Sequence, residues 1–333
     1  MNKLRIGFPL ARGGGGPTIF MRRLKDAVCE DGLAITSHFF DPRVDILVCA
    51  NVIRNPWRKP YVLRLDGIAF DLTLGNDELN KRNLPIFKGI DKSSGLIFQS
   101  AFDKRLISSF HSLPNSPSII IPNGVDLNAF KPVGTNLRSA LGIKPEELVF
   151  LTSAKWRKHK RLDSVIEGFE AFCQVTKKPA HLLILGEVDK EIEHLPLGAR
   201  IIGHIDPSEL PQWYRTADIY LFFSWLDHCP NTVVEALASA LPVLCTNQGG
   251  TRELVELTNG GIVLEVDNDF EFKEVELYKP PKPRQDLIVK GMQDIVAKKE
   301  QISAGINRET VGIQSVASRY VEFIKTINQL KTQ

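Results

Sequence analysis

Short apolar runs of strand length, separated by helix-length stretches, recur twice along this chain, and no other feature limits its possible folds as much. In the first half the runs are Leu4–Pro9, Asp45–Cys49, Tyr61–Leu65, Gly95–Gln99 and Ser118–Ile121, with helical stretches at Pro17–Glu30 and Ala101–Phe110. The pattern restarts with Leu148–Ser153, His181–Gly186, Arg200–Gly203, Asp218–Ser224, Pro242–Cys245 and Gly261–Glu265, among helical stretches at Leu162–Val175, Pro207–Arg215 and Thr232–Ser239. Runs that stay apolar throughout, rather than alternating, belong to parallel strands buried on both faces. The expected class is therefore α/β, with two doubly wound domains over residues 1–130 and 145–305 and a cleft between them. The break falls near residues 127–147, where Phe130-Lys131-Pro132-Val133-Gly134 and Lys144-Pro145 have linker chemistry. Glu271–Pro283, mixing Glu, Lys and three Pro, reads as a surface excursion. Helices at about 284–302 and 309–330 close the chain. The last must bury a stripe of Val316, Tyr320, Phe323, Ile324 and Ile327, and is expected to cross back onto the first domain.

Composition narrows the function. The 333 residues suit two domains at roughly 150 residues each. The balance of 42 Lys+Arg against 39 Asp+Glu, a net +3, is too even to indicate a nucleic-acid or membrane-surface protein by itself. Locally it is not even. Five cations lie within Lys155–Arg161, leaving 3 − 5 = −2 on the rest of the chain. The apolar stretch Ile6–Ala11 stops at Arg12, short of the roughly 7–15 residues of an export signal's core. The long uncharged run Leu106–Val125 is too rich in Ser, Pro and Asn to cross a bilayer. Five scattered cysteines without C-x-x-C spacing fit reduced thiols. A cytoplasmic protein is expected, with peripheral contact at the inner membrane surface left open.

Four constellations carry candidate chemistry. Arg12-Gly13-Gly14-Gly15-Gly16-Pro17 sits between the first strand and the first helix, where glycine lets backbone amides approach an anion at the helix N-terminus. It is not a dinucleotide fingerprint, because G-x-G-x-x-G counted from Gly13 meets Thr18. Lys155-Trp156-Arg157-Lys158-His159-Lys160-Arg161 places cations directly before a helix, against its macrodipole, and so calls for an anion. In the third, Asp227 to Glu235, Glu235 is the only formally charged residue between Cys229 and Thr251. It is either buried with a partner or set on a wet stripe with Asn231 and Ser239. Gln248-Gly249-Gly250-Thr251 is again a glycine turn between strand and helix. Asp267-Asn268-Asp269 spells D-x-D in an acidic turn, but no metal-ligand set is expected from it or from the seven histidines.

Together these stretches resemble the retaining glycosyltransferases of family 4. The anchors are Ile121-Pro122-Asn123-Gly124-Val125-Asp126, Lys155 and Lys160, Ile202-Gly203, Tyr214, Ala217-Asp218, Asp227 to Glu235, and Gly249-Gly250. The resemblance implies the GT-B fold, two Rossmann-like domains, and metal-independent transfer of a sugar from a nucleoside-diphosphate sugar to a glycan, lipid-linked or small-molecule acceptor. It implies no cofactor beyond that donor. It assigns Lys155 and Lys160 to the donor pyrophosphate, Glu235 to the ribose hydroxyls and Asp227 to the donor sugar, helped by backbone amides near Cys229, Pro230, Asn231 and Thr232. His204 is a further residue expected near the nucleotide. The chain departs from the family pattern in four places, one being the run Glu187-Val188-Asp189 where a second glycine is usual after Gly186. Asp227 stands where Glu is usual, Lys155 where Arg is common, and Arg64-Leu65-Asp66-Gly67 where a His is often found, which makes Asp66 the candidate near the reacting sugar. The same architecture also serves nucleotide-sugar 2-epimerases, and a non-catalytic polyanion binder using residues 155–161 is the reading from another class.

Overall fold

The computed structural model describes residues 4–9, 16–30, 33–37, 41–51, 53, 55, 58–188 and 194–330. The chain divides into two compact units, one of Met1–Val125, Phe270–Val275 and Val311–Gln333, the other of Asp126–Asp269 and Glu276–Thr310.

The first unit begins β1 (Arg5–Gly7), α1 (Gly16–Glu30), β2 (Ile35–Ser37), β3 (Ile46–Ala50), β4 (Tyr61–Leu65), α2 (Gly75–Lys92), β5 (Gly95–Phe98), α3 (Ala101–Phe110) and β6 (Ser118–Ile120). Its six strands form one parallel sheet in the order β2-β1-β3-β4-β5-β6. In the second unit β7 (Leu148–Ser153), α4 (Leu162–Thr176), β8 (Ala180–Leu185), β9 (Ala199–Gly203), α5 (Leu210–Thr216) and β10 (Ile219–Phe222) are followed by α6 (Asn231–Ala238), β11 (Val243–Thr246), α7 (Thr251–Thr258), β12 (Gly261–Leu264) and α8 (Gln285–Gly305). Its order is β12-β11-β10-β7-β8-β9, again all parallel. The chain winds outward from β7 in one direction and from β10 in the other, so the crevice between the C-terminal ends of these two strands is where a ligand belongs in such a sheet.

The apolar runs are strands because both faces of each are covered. Ile46–Cys49, Val62–Leu65, Leu96–Phe98, Leu182–Leu185 and Val243–Cys245 are essentially inaccessible. α9 (Ile313–Leu330) completes the first unit's core: Val316, Tyr320, Ile324 and Ile327 pack with Phe20, Leu24 and Val28 of α1. Gly124 permits that approach, since a Cβ there would lie 3.0 Å from the Ile313 Cα and from Val316. Val125 and residues 311–313 then exchange backbone hydrogen bonds of 2.9 Å.

Three expectations change. The stretch near 127–147, read as a linker, is anchored at Arg138, which bonds Asp218 at 2.7 Å and four backbone carbonyls around it. The start of the expected excursion is also packed. Val275 is buried, its carbonyl accepts from Leu72 N at 2.7 Å, and the Phe272 ring lies 5.5 Å from Phe102. β2 and α2 are additional elements, one of three residues and the other carrying Pro85 in its interior. No helix among the described residues is long and apolar enough to cross a membrane.

Because α9 supplies one wall of the first unit's core, Ile324→Ala is expected to cost about 2–4 kcal/mol through lost burial and a residual cavity. Denaturant unfolding followed by circular dichroism measures it, and a change within the error of the wild-type curve would mean that α9 is not part of that core.

Candidate active site

The basic loop leaves the C-terminal end of β7 and the Asp227 loop leaves that of β10, so the topology brings them together at the crevice. Lys160 donates to Asp227 Oδ2, which also accepts from the Ser224 hydroxyl at 3.0 Å. The ammonium lies 5.6 Å from the Phe222 ring centre, a further stabilising contact. Burial works to raise the Asp227 carboxyl, but the charge and hydrogen bond of Lys160, aided by His159 and His228, hold it below its ordinary value. The pair keeps Asp227 ionised while its other oxygen, Oδ1, has no hydrogen bond among the described residues.

Backbone geometry fixes this loop. Leu226 has φ +59°, uncommon for a β-branchless but bulky side chain, and Gly249 at φ +91° packs beneath. A Cβ at Gly249 would meet the Asp227 carbonyl at 2.7 Å, and Gly250 N donates to that carbonyl at 2.7 Å. The glycine pair thus shapes the Asp227 loop from below.

Of the five cations in the basic loop, two are neutralised by acids from distant loops. Arg161 is buried and grips Asp267 through two hydrogen bonds of 2.9 and 2.6 Å. That pairing gives the first carboxylate of the D-x-D a structural partner, and it takes Arg161 out of the expected anion site. Lys155, Arg157 and Lys158 are exposed, with no ion-pair partner among the described residues. Trp156 is buried, with its indole N–H on the Leu185 carbonyl at 2.9 Å, so it offers no face for stacking bases, and the polyanion-binding reading loses its one aromatic. His159 is buried beside Lys160. Desolvation first, then the Lys160 charge, lower it to about 4, so its imidazole is neutral near pH 7.

Glu235 lies one turn into α6 and is only 5% exposed. Its Oε2 accepts from the Tyr214 hydroxyl at 3.0 Å, and Ser239, also buried, hydrogen-bonds the Glu235 carbonyl at 2.9 Å. The wet stripe is therefore overturned in favour of a buried carboxylate with a partner. Tyr214 sits on α5, and no sequence spacing announces that contact. Cys229 and Pro230 are buried, while Asn231 and Thr232 are half-buried at the start of α6, on the same loop as Asp227. His204 is exposed just beyond β9, two strands from β7 and so about 10 Å away laterally. The structure does not bring it against Lys160 or Asp227.

In the first unit Asp66 follows β4. Its Oδ1 accepts from Arg64 and, at 2.7 Å, from Gln99 just beyond β5, while Arg64 also bonds Asn123 beyond β6 at 2.5 Å. Arg64 is inaccessible, with its guanidinium 4.3 Å from the Phe20 ring centre. Asp66 is 4% exposed in its side chain, and its Oδ2 is buried without a partner. Polar residues placed directly after apolar strands, Gln99 and Asn123, are the signal that would have found this network. Gly13, Gly14 and Gly15 lie outside the described residues; Gly16 is the first residue of α1.

Residues 134–292 match the family model for glycosyl transferases group 1. The chain is similar to N-acetyl-alpha-D-glucosaminyl L-malate synthase of Bacillus anthracis, 25% identical over 205 residues, which are 59% of this chain and 52% of the relative. The match thus spans about half that relative's length. In fold it is similar to sucrose-phosphate synthase from Thermosynechococcus elongatus (TM-score 0.70, 15% identity, 98% and 99% of the two chains). It is also similar to Anabaena HepE, solved in complex with UDP-glucose (TM-score 0.60, 15% identity, 99% and 98% of the two chains). The chain thus has two parallel six-stranded sheets of GT-B type, and residues 134–292, across the second of them, are similar to the glycosyl transferases group 1.

Proposed function

We propose that the chain is a retaining, metal-independent glycosyltransferase that moves a sugar from a nucleoside-diphosphate sugar to an acceptor hydroxyl. The donor is assigned to the second unit, within about residues 145–305, and the acceptor side to the first, within about residues 1–130. The observation that carries the reading is Lys160 paired with Asp227 at the β7/β10 crevice, on the same loop as exposed Lys155. When the bond between sugar and β-phosphate breaks, negative charge collects on the departing diphosphate. Preorganised ammonium groups stabilise that charge at the moment it forms, so Lys155 and Lys160 can do what a bound cation does elsewhere. Asp227 keeps one oxygen on Lys160 and Ser224 and offers the other to a sugar hydroxyl. Glu235, steadied by Tyr214, is the acceptor for ribose hydroxyls, with the backbone from Cys229 to Thr232 leading into the same helix. That HepE, of the same fold, is seen with UDP-glucose supports a nucleotide-sugar donor. Retention of configuration rests on the family 4 resemblance. A cytoplasmic location belongs to the same reading and is supported by five unbridged cysteines.

Calorimetric titration of UDP, GDP and ADP tests the donor half. One of them is expected to bind the wild type, with affinity lowered at least tenfold in Glu235→Ala or Lys160→Ala, as for loss of a charge-assisted contact of about 1.5–3 kcal/mol; no binding by any of the three would sink the proposal. Asp66→Asn tests the acceptor half. It preserves the shape of the carboxyl group, so nucleotide affinity should be unchanged while the rate of sugar transfer falls by at least about tenfold. Equal loss in both measurements would remove Asp66 from the acceptor side.

A further inference from the structure

We propose that Arg161, which the donor chemistry above does not use, is a positioning residue that fixes Lys160 against Asp227 through its buried fork on Asp267. The inference rests on the reading of Lys160 and Asp227 as donor-site groups. Lys160 and Arg161 are consecutive, yet their side chains go to carboxylates on different loops, Asp227 after β10 and Asp267 after β12. Between them the chain turns from the short 3-10 helix Lys158–Lys160 into α4 through Arg161 at φ +53°. A bulky residue holds that conformation only where its surroundings over-determine it. Here they do. Both guanidinium nitrogens at the fork end bond Asp267, one also reaches the Phe223 carbonyl at 3.5 Å, and the guanidinium lies 5.9 Å from the Trp225 ring centre. Trp225 N in turn donates to the His159 carbonyl at 2.8 Å.

Asp267 is itself fixed. Asn247, just beyond β11, accepts from Asp267 N at 2.9 Å and from Val266 N at 3.1 Å, and donates to the Asp267 carbonyl at 2.9 Å. The chain of contacts Arg161–Asp267–Asn247 therefore ties the C-terminal ends of β7, β10, β11 and β12, four adjacent strands. The exposed cations of the same loop have no such tether. A lysine at 161 would keep the charge but could not reproduce the planar fork, because its three N–H donors sit on one nitrogen.

Asp227 is faced by Lys160, His159, His228 and the Ser224 hydroxyl, so its titration reports whether Lys160 is in place. The test uses the full chain without ligand, with 13C-labelled aspartate and the Asp227 carboxyl followed by NMR against pH. In Arg161→Lys and in Asp267→Asn the Asp227 midpoint is expected to rise by about one pH unit or more, as the Lys160 charge moves away. Affinity for the nucleoside diphosphate that binds the wild type should fall about tenfold in the same samples. A folded variant with lowered Tm and an unmoved midpoint would assign Arg161 a purely structural role and overturn the proposal. Should Arg161→Lys not fold, the near-isosteric Asp267→Asn decides. Absence of nucleotide binding by the wild type would refute the donor reading, while the midpoint would still decide whether Arg161 places Lys160.

Discussion

Positive charge gathered in front of a helix is the constraint around which the second unit is organised. The first turn of α4 already carries the positive end of the helix dipole, and the loop before it adds Lys155, Arg157, Lys158, Lys160 and Arg161. Acids close in sequence do not neutralise the two members that are held in place. Asp227 and Asp267 do so, and they arrive only because β10 pairs directly with β7 while β11 and β12 follow outward on the same side. The sheet order thus converts a locally unfavourable loop into a partly neutralised cradle with three cations still facing solvent. Reversing the order of the strands would leave every residue of the loop unchanged and its electrostatics unsatisfied.

The first unit handles a buried cation differently. Arg64 is on a central strand, and its principal partner, Asp66, is two residues away, with Gln99 and Asn123 supplied by the next two strands. An internal arginine with an acid so near in sequence needs little from the topology. The network is nevertheless incomplete: Asp66 Oδ2 has no partner, and an ionised oxygen removed from water without one is costly.

Much of this was legible in the sequence, for a physical reason. A strand covered on both faces is mostly apolar, so Tyr61–Leu65 and Leu148–Ser153 can be read to the residue despite the buried Arg64, Thr152 and Ser153. Glycine turns and charge runs at strand-to-helix junctions pointed to the loops of the site before any strand order was known. Elements that escaped lack such a signature. Ile35–Ser37 is too short to form a run, and α2 opens on Asn76, Asp77 and Glu78 and contains Pro85. The partnerships were harder still. Arg161 and Asp267 are 106 positions apart, and Tyr214 and Glu235 are 21 apart, so neither pair follows from local spacing. Whether Glu235 was buried or wet could not be decided without knowing that α5 places a phenol beside it.

Residues 270–275 and 311–330 leave the second unit's portion of the chain to join the first. Neither unit is therefore a contiguous stretch of polypeptide, and no single cut releases either one whole. During synthesis residues up to 125 emerge with one flank of their sheet uncovered, and α9, which covers it, is made only after the second unit's portion of the chain. The first unit must wait, incomplete, while the whole of the second is translated. A ribosome-bound chain stopped after α8 would carry an apolar surface around Phe20 and Leu24 that α9 covers in the finished fold.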